Sequence, residues 1–196
     1  MALGFRVKSG WAAACLVSGP ASSPKVVDRR VVTLSDPEVP RSKQPYHSGT
    51  GFAETDAAKL ARLVQSVEGY AEQSLAALFA QYRAEGRAPV RVGIVVGTDG
   101  DPERIANQHI QAHAREGRLF RRVIEDAARA HGLPFAILVE REAYRVAAGA
   151  ASPSAPSSSP SATARSARPS ASRSRSTRRS PSSSPRWARD SRRRAS

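Results

Sequence analysis

The chain has 196 residues, with 31 Lys and Arg against 17 Asp and Glu, for a formal net charge of +14. That balance points to a polyanionic partner such as nucleic acid. Its single cysteine, Cys15, excludes an intrachain disulfide framework and suits a reducing compartment, and no apolar run reaches the roughly 20 residues a membrane-spanning helix requires.

Leu3, Phe5 and Val7 alternate with Gly4, Arg6 and Lys8, the period of a half-buried strand. Ser9-Gly10 is a two-residue connection suited to a tight hairpin, and Trp11 to Val17 makes the returning strand. Arg6 and Lys8 ahead of that apolar run have a superficial likeness to a signal peptide. The run is short and broken upstream by Ser9-Gly10, so cytoplasmic localisation is expected. The turn cluster Gly19 to Pro24 leads to a valine-rich third strand, Lys25 to Leu34, completing an antiparallel meander.

Ser35 to Gly51 contains three prolines and no periodicity, and reads as a long loop. Thr55 or Asp56 caps a helix in which Leu60, Val64, Val67, Ala71, Leu75, Leu78 and Tyr82 recur at helical spacing until Gly86. Val90 to Val96 is a strand apolar on both faces, as in the centre of an α/β sheet. Asp101 and Pro102 have the form of a helix start, and the helix they open is expected to run to about His131 with a bend near Gly117. Phe135 to Glu140 forms a last buried strand, followed by only a short helical remnant at Glu142 to Ala148.

The expected organisation is therefore a globular domain over 1–148 and a Ser/Arg/Pro-rich tail over 149–196. Residues 152–196 hold 11 of the basic side chains and one acid, which leaves residues 1–151 at only +4. The tail contains no Val, Leu, Ile, Phe or Met and cannot offset the entropy of ordering its backbone. Its Arg-Ser runs, such as Arg173-Ser174-Arg175-Ser176, read either as an arginine/serine segment that binds RNA electrostatically or as the product of a shifted reading frame.

The element order, with Leu3-Gly4-Phe5-Arg6-Val7-Lys8-Ser9-Gly10-Trp11-Ala12, resembles the ribonuclease H-like superfamily, and within it the Holliday-junction resolvase-like branch. That resemblance implies an α/β, three-layer domain: a mixed sheet of a three-strand antiparallel meander plus two parallel strands, with flanking helices. It also implies metal-dependent phosphodiester cleavage by carboxylates from the first strand, from near the fourth strand and from the last helix. Aligned on Leu3-Gly4, the first-strand aspartate of the family falls at Arg6, and a guanidinium cannot ligate a hard cation.

Three functional classes follow. The first is a non-catalytic ribonuclease H-like domain that contacts nucleic acid through Arg6, Lys8, Lys43, Tyr46 and His47. The second is a metal-dependent nuclease or hydrolase whose divalent ion is held by Asp99, Asp101, His109 and His113. The third is a protein-interaction scaffold. His109 and His113 lie four apart on one helix and share a face, which suits either a metal pair or two histidines at the core margin. Asp99 and Asp101 suit a ligand site at a strand end, or a turn and a helix cap. Arg6 has a candidate ion-pair partner in Asp99. Beyond a divalent metal no cofactor is expected, and no membrane partner.

Overall fold

The computed structural model describes residues 1–151; the tail expected over 149–196 lies outside them apart from the end of the last helix. The meander forms as its periodicity predicts, with β1 (Ala2–Lys8), β2 (Trp11–Ser18) and β3 (Lys25–Thr33) paired antiparallel. The stretch that resembled a signal peptide is thus a sheet strand. At the β1–β2 turn, Gly10 has φ +82°, and a Cβ there would lie 2.7 Å from Lys43 Cγ and 3.0 Å from Ser35 Oγ. Glycine is required there by backbone conformation and by the segment crossing over it.

That segment is not the loop its composition suggests. Residues Pro40–Lys43 make a 3-10 turn, and β4 (His47–Gly49) pairs with β5 (Phe52–Ala53) in a small hairpin of their own. Polar staples hold it: Leu34 and Ser35 donate their amides to Gly10 O, Ser42 Oγ donates to Asp36 O at 3.1 Å, and Ser66 Oγ to Asp36 Oδ2 at 3.3 Å. These bonds join particular backbone and side-chain groups rather than following a repeat, so no periodicity announces them.

Helix α1 (Ala57–Ala84) starts where expected, with Asp56 accepting from the Lys59 amide. Its buried stripe is Leu63, Val67, Ala71, Leu75, Leu78, Phe79 and Tyr82, one turn later than the stripe begun at Leu60. Strand β6 (Arg91–Val96) then pairs parallel with β1, and β7 (Phe135–Val139) parallel with β6. Between them Asp101 caps only the 3-10 turn Pro102–Arg104. The helix α2 (Gln108–Ala130) is capped by Asn107 and runs through Gly117 without a break. A buried face on both sides of Gly117 offsets the roughly 1 kcal/mol helical cost of glycine. Helix α3 (Glu140–Ala151) follows β7 directly and is longer than the remnant expected.

The result is a mixed five-stranded sheet, order β3-β2-β1-β6-β7, with three helices. Leu3, Phe5 and Val7 of β1, Ala12, Ala14 and Leu16 of β2 and Val92, Ile94 and Val96 of β6 form one core with the apolar stripes of α1 and α2. The alternating residues of the same strands, including Gly4, Arg6, Ala13, Cys15 and Val95, line an open depression on the sheet. β1 sits at the centre, so the C-terminal ends of β1 and β6 face the loop that leads into α2.

Candidate functional site

At the sheet centre Arg6 leaves β1 on the open face and pairs with Glu140 at 2.5 Å, the first residue of α3. Its partner is therefore Glu140, not Asp99. Parallel pairing of β1, β6 and β7 brings the start of α3 beside β1 although 134 residues separate the two in sequence. The other acid near the start of that helix, Glu142, lies 3.9 Å from Arg145.

Asp99 and Asp101 belong to a different arrangement. Asp99 pairs with Arg121, Asp101 with Arg118 at 3.0 Å, and Glu103 with Arg115 through two bonds of 3.1 and 2.9 Å. Alternate acids of the loop meet every third residue of α2, forming a ladder that fastens the loop to the helix. Hydrogen bonding to Arg115 holds the Glu103 carboxyl below its usual range. Among the described residues neither aspartate joins the histidines in a metal-competent group. The expected set of Asp99, Asp101, His109 and His113 is thus divided: arginines on α2 hold the acids, and the histidines stand elsewhere.

His109 and His113 instead meet His47, delivered by the small hairpin. The three ring centroids form a triangle of 5.0, 4.3 and 4.5 Å, and one potential ligand atom from each ring lies within 4.8 Å of the others. The whole chain has four histidines, so three of the four converge here. Behind them is Glu116, fully buried, whose Oε1 accepts from His47 Nδ1 at 2.7 Å and whose Oε2 lies 3.6 Å from His113 Nδ1. His47 Nε2, His109 Nδ1 and Glu116 Oε2 are buried without a hydrogen-bond partner among the described residues.

In front of the rings opens a cavity of about 420 Å³, lined by Arg41, Lys43, His47, Gly49, Gly51, His109 and His113 among others. A smaller cleft of about 220 Å³ at the ends of β1 and β6 is lined by Lys8, Thr98, Gly100, Arg118 and Arg121, and His113 borders both. Of the basic residues expected to meet nucleic acid, Arg6 and Lys43 are exposed and Lys8 is half-buried. Tyr46 packs against the core, where burial raises its hydroxyl above the usual tyrosine range. His47 is turned inward to Glu116.

Glu116 was missing from the sequence-level candidates. The signal was present: an acid three residues after His113, in line with Ala112, Leu119, Phe120 and Val123 on the apolar face of a helix. A carboxylate at a core position requires a partner.

The sheet order and the mixed pairing define an α/β domain in which a three-strand antiparallel meander is extended by two parallel strands, the arrangement expected from the sequence. No protein-family model and no curated protein matches the chain. Similar solved structures include RuvC of Thermus thermophilus in complex with a Holliday-junction substrate. It is 11% identical, with a TM-score of 0.46, over 74% of this chain and 67% of that one. A second Thermus thermophilus RuvC structure is 12% identical, with a TM-score of 0.40, over 76% of this chain and 69% of that one.

Proposed function

We propose that the chain is a nucleic-acid-binding domain of ribonuclease H-like fold that does not cleave at the centre where that superfamily places its carboxylates. The observation that carries this reading is the Arg6–Glu140 pair. Two-metal phosphodiester chemistry needs clustered oxygen ligands. A guanidinium on the central strand, paired with the acid that opens α3, neutralises one carboxylate and adds no ligand.

The same guanidinium suits a phosphate group. Arg6, Lys8 and Lys43 rise from the central strand and the segment that crosses the β1–β2 turn. They form the contact set of this reading, together with whatever the basic residues of 152–196 add electrostatically. No helix among the described residues is long and apolar enough to cross a membrane.

The test is fluorescence anisotropy of the full chain with labelled duplex, single-stranded DNA and RNA across a salt series. Wild type is expected to bind with an affinity that falls steeply with salt. The triple variant Arg6→Ala, Lys8→Ala, Lys43→Ala is expected to lower the slope of log affinity against log salt by about 3 on duplex. The labelled strands are expected to remain intact with Mg²⁺ or Mn²⁺ present. An unchanged slope would remove these residues from the interface, and cleavage lost in Glu140→Gln would overturn the non-catalytic reading.

A further inference from the structure

We infer that His47, His109 and His113 form a three-histidine site for a single divalent transition-metal ion, zinc(II) by ligand chemistry, with Glu116 as the carboxylate that orients the rings. Its ligands are separate from the contact set Arg6, Lys8 and Lys43 of the nucleic-acid reading, although Lys43 also borders the cavity in front of them.

Four observations carry it. Convergence is the first: residues from a hairpin and two successive turns of α2 bring three imidazoles together although the chain has only one other histidine. The second is unsatisfied valence. His47 Nε2 and His109 Nδ1 are buried with no partner among the described residues, and buried polar atoms of that kind are rare unless a ligand completes them.

The third observation is Glu116. A histidine that binds metal through one ring nitrogen donates its other N–H to a carboxylate or carbonyl, which fixes the tautomer and raises ligand basicity. His47 Nδ1 donates to Glu116 in this manner at 2.7 Å, which leaves the buried, unpartnered Nε2 as the ligand atom. His113 Nδ1 stands 3.6 Å from the second oxygen of the same carboxylate. Finally, the site is open. Zinc with three protein ligands keeps a fourth position for exchangeable water or an anionic oxygen, and here the rings border the 420 Å³ cavity with Lys43 and Arg41 on its wall.

A tetrahedral ion with bonds of about 2.0–2.1 Å sets its nitrogens roughly 3.4 Å apart. The ligand nitrogens must therefore move closer from their present spacing of up to 4.8 Å. The half-exposed His113 side chain and the glycines Gly49 and Gly51 beside His47 allow that movement.

The full chain, stripped with a chelator, is titrated with Zn(II) by calorimetry and with Co(II) by visible absorption. One ion per chain is expected, with the intense d–d bands of four-coordinate cobalt. His109→Ala and His113→Ala should each weaken binding at least 100-fold at unchanged circular dichroism, and Glu116→Gln by about 10- to 100-fold. His131→Gln should leave it unchanged.

Where a variant fails to fold, imidazole nitrogen shifts of the wild-type chain replace it. Zinc must then shift His47, His109 and His113 and leave His131 in place. No stoichiometric binding, affinity retained in the folded His109→Ala, His113→Ala double variant, or shifts confined to other residues would overturn the site.

Discussion

The two polar centres of the domain are built on opposite principles. At the sheet centre the Arg6–Glu140 pair is wet: the Arg6 side chain is 50% exposed and that of Glu140 26%. The histidine site is built on a carboxylate of zero exposure with several buried polar atoms left open, and it reaches solvent through the half-exposed His113. Exposed pairs contribute little and cost little. Buried, incompletely bonded groups are expensive, and a fold retains them where they serve something other than stability. By that criterion the histidine site is the stronger candidate for ligand chemistry, and the sheet centre for electrostatic contact.

The contrast breaks first, and by the largest amount, at Glu116. Glu116→Ala leaves His47 Nδ1 buried without its acceptor and opens a cavity, so chelator-treated protein should lose about 3 kcal/mol in urea unfolding. The double variant His47→Leu, Glu116→Leu should recover most of that loss or exceed wild type, because replacing both partners of a buried polar pair by apolar side chains of similar volume leaves no unsatisfied group. A double variant as unstable as the single would mean that the pair contributes packing and not ligand orientation.

Metal should act on one centre alone. At zinc one hundred times its dissociation constant, a site present only in the folded state adds about 2.7 kcal/mol. The matching rise in Tm should vanish in His109→Ala and persist in Asp99→Ala, since Asp99 is tied to Arg121. Loss of the rise in Asp99→Ala would return that aspartate to the ligand set.

An intermediate case lies between β3 and α1. Tyr82, buried, donates its hydroxyl to Asp28 Oδ2 at 2.6 Å, and Arg30 donates to the same oxygen at 2.7 Å. Hydrogen bonding, first to Arg30 and then to Tyr82, holds the Asp28 carboxyl below its usual range. A carboxyl depressed in the folded state contributes stability above its unfolded pKa and loses it as pH falls through the folded value. Tyr82→Phe should therefore cost about 1 kcal/mol at neutral pH, with the deficit narrowing under acid. A deficit independent of pH would show that Asp28 plays no part in it.

Much of the fold was legible because it rests on period. Alternation at Leu3, Phe5 and Val7 gave a strand, and the stripe through Val67, Ala71 and Leu75 gave α1. What stayed hidden rests on meetings between distant residues. Asn107, not Asp101, caps α2, because Asp101 is taken up by the 3-10 turn and by Arg118. Of the histidine site, the two members on one helix share a visible face. The third comes from a segment whose structure is set by Ser35, Asp36, Ser42 and Ser66, and no sequence period links it to α2.

The smallest effect on stability falls at the residue most informative about function. Arg6→Ala should change unfolding free energy by no more than about 0.5 kcal/mol, because the pair with Glu140 is partly exposed and screened. Wild type and variant should converge in 1 M NaCl. If nucleic-acid affinity nevertheless falls in Arg6→Ala, the arginine is held for its contact and not for the fold. A loss of several kcal/mol would instead make Arg6–Glu140 a structural clamp between β1 and α3. The absence of a carboxylate on the central strand would then reflect how this sheet is closed, and the contact surface would have to be sought at Lys8 and Lys43.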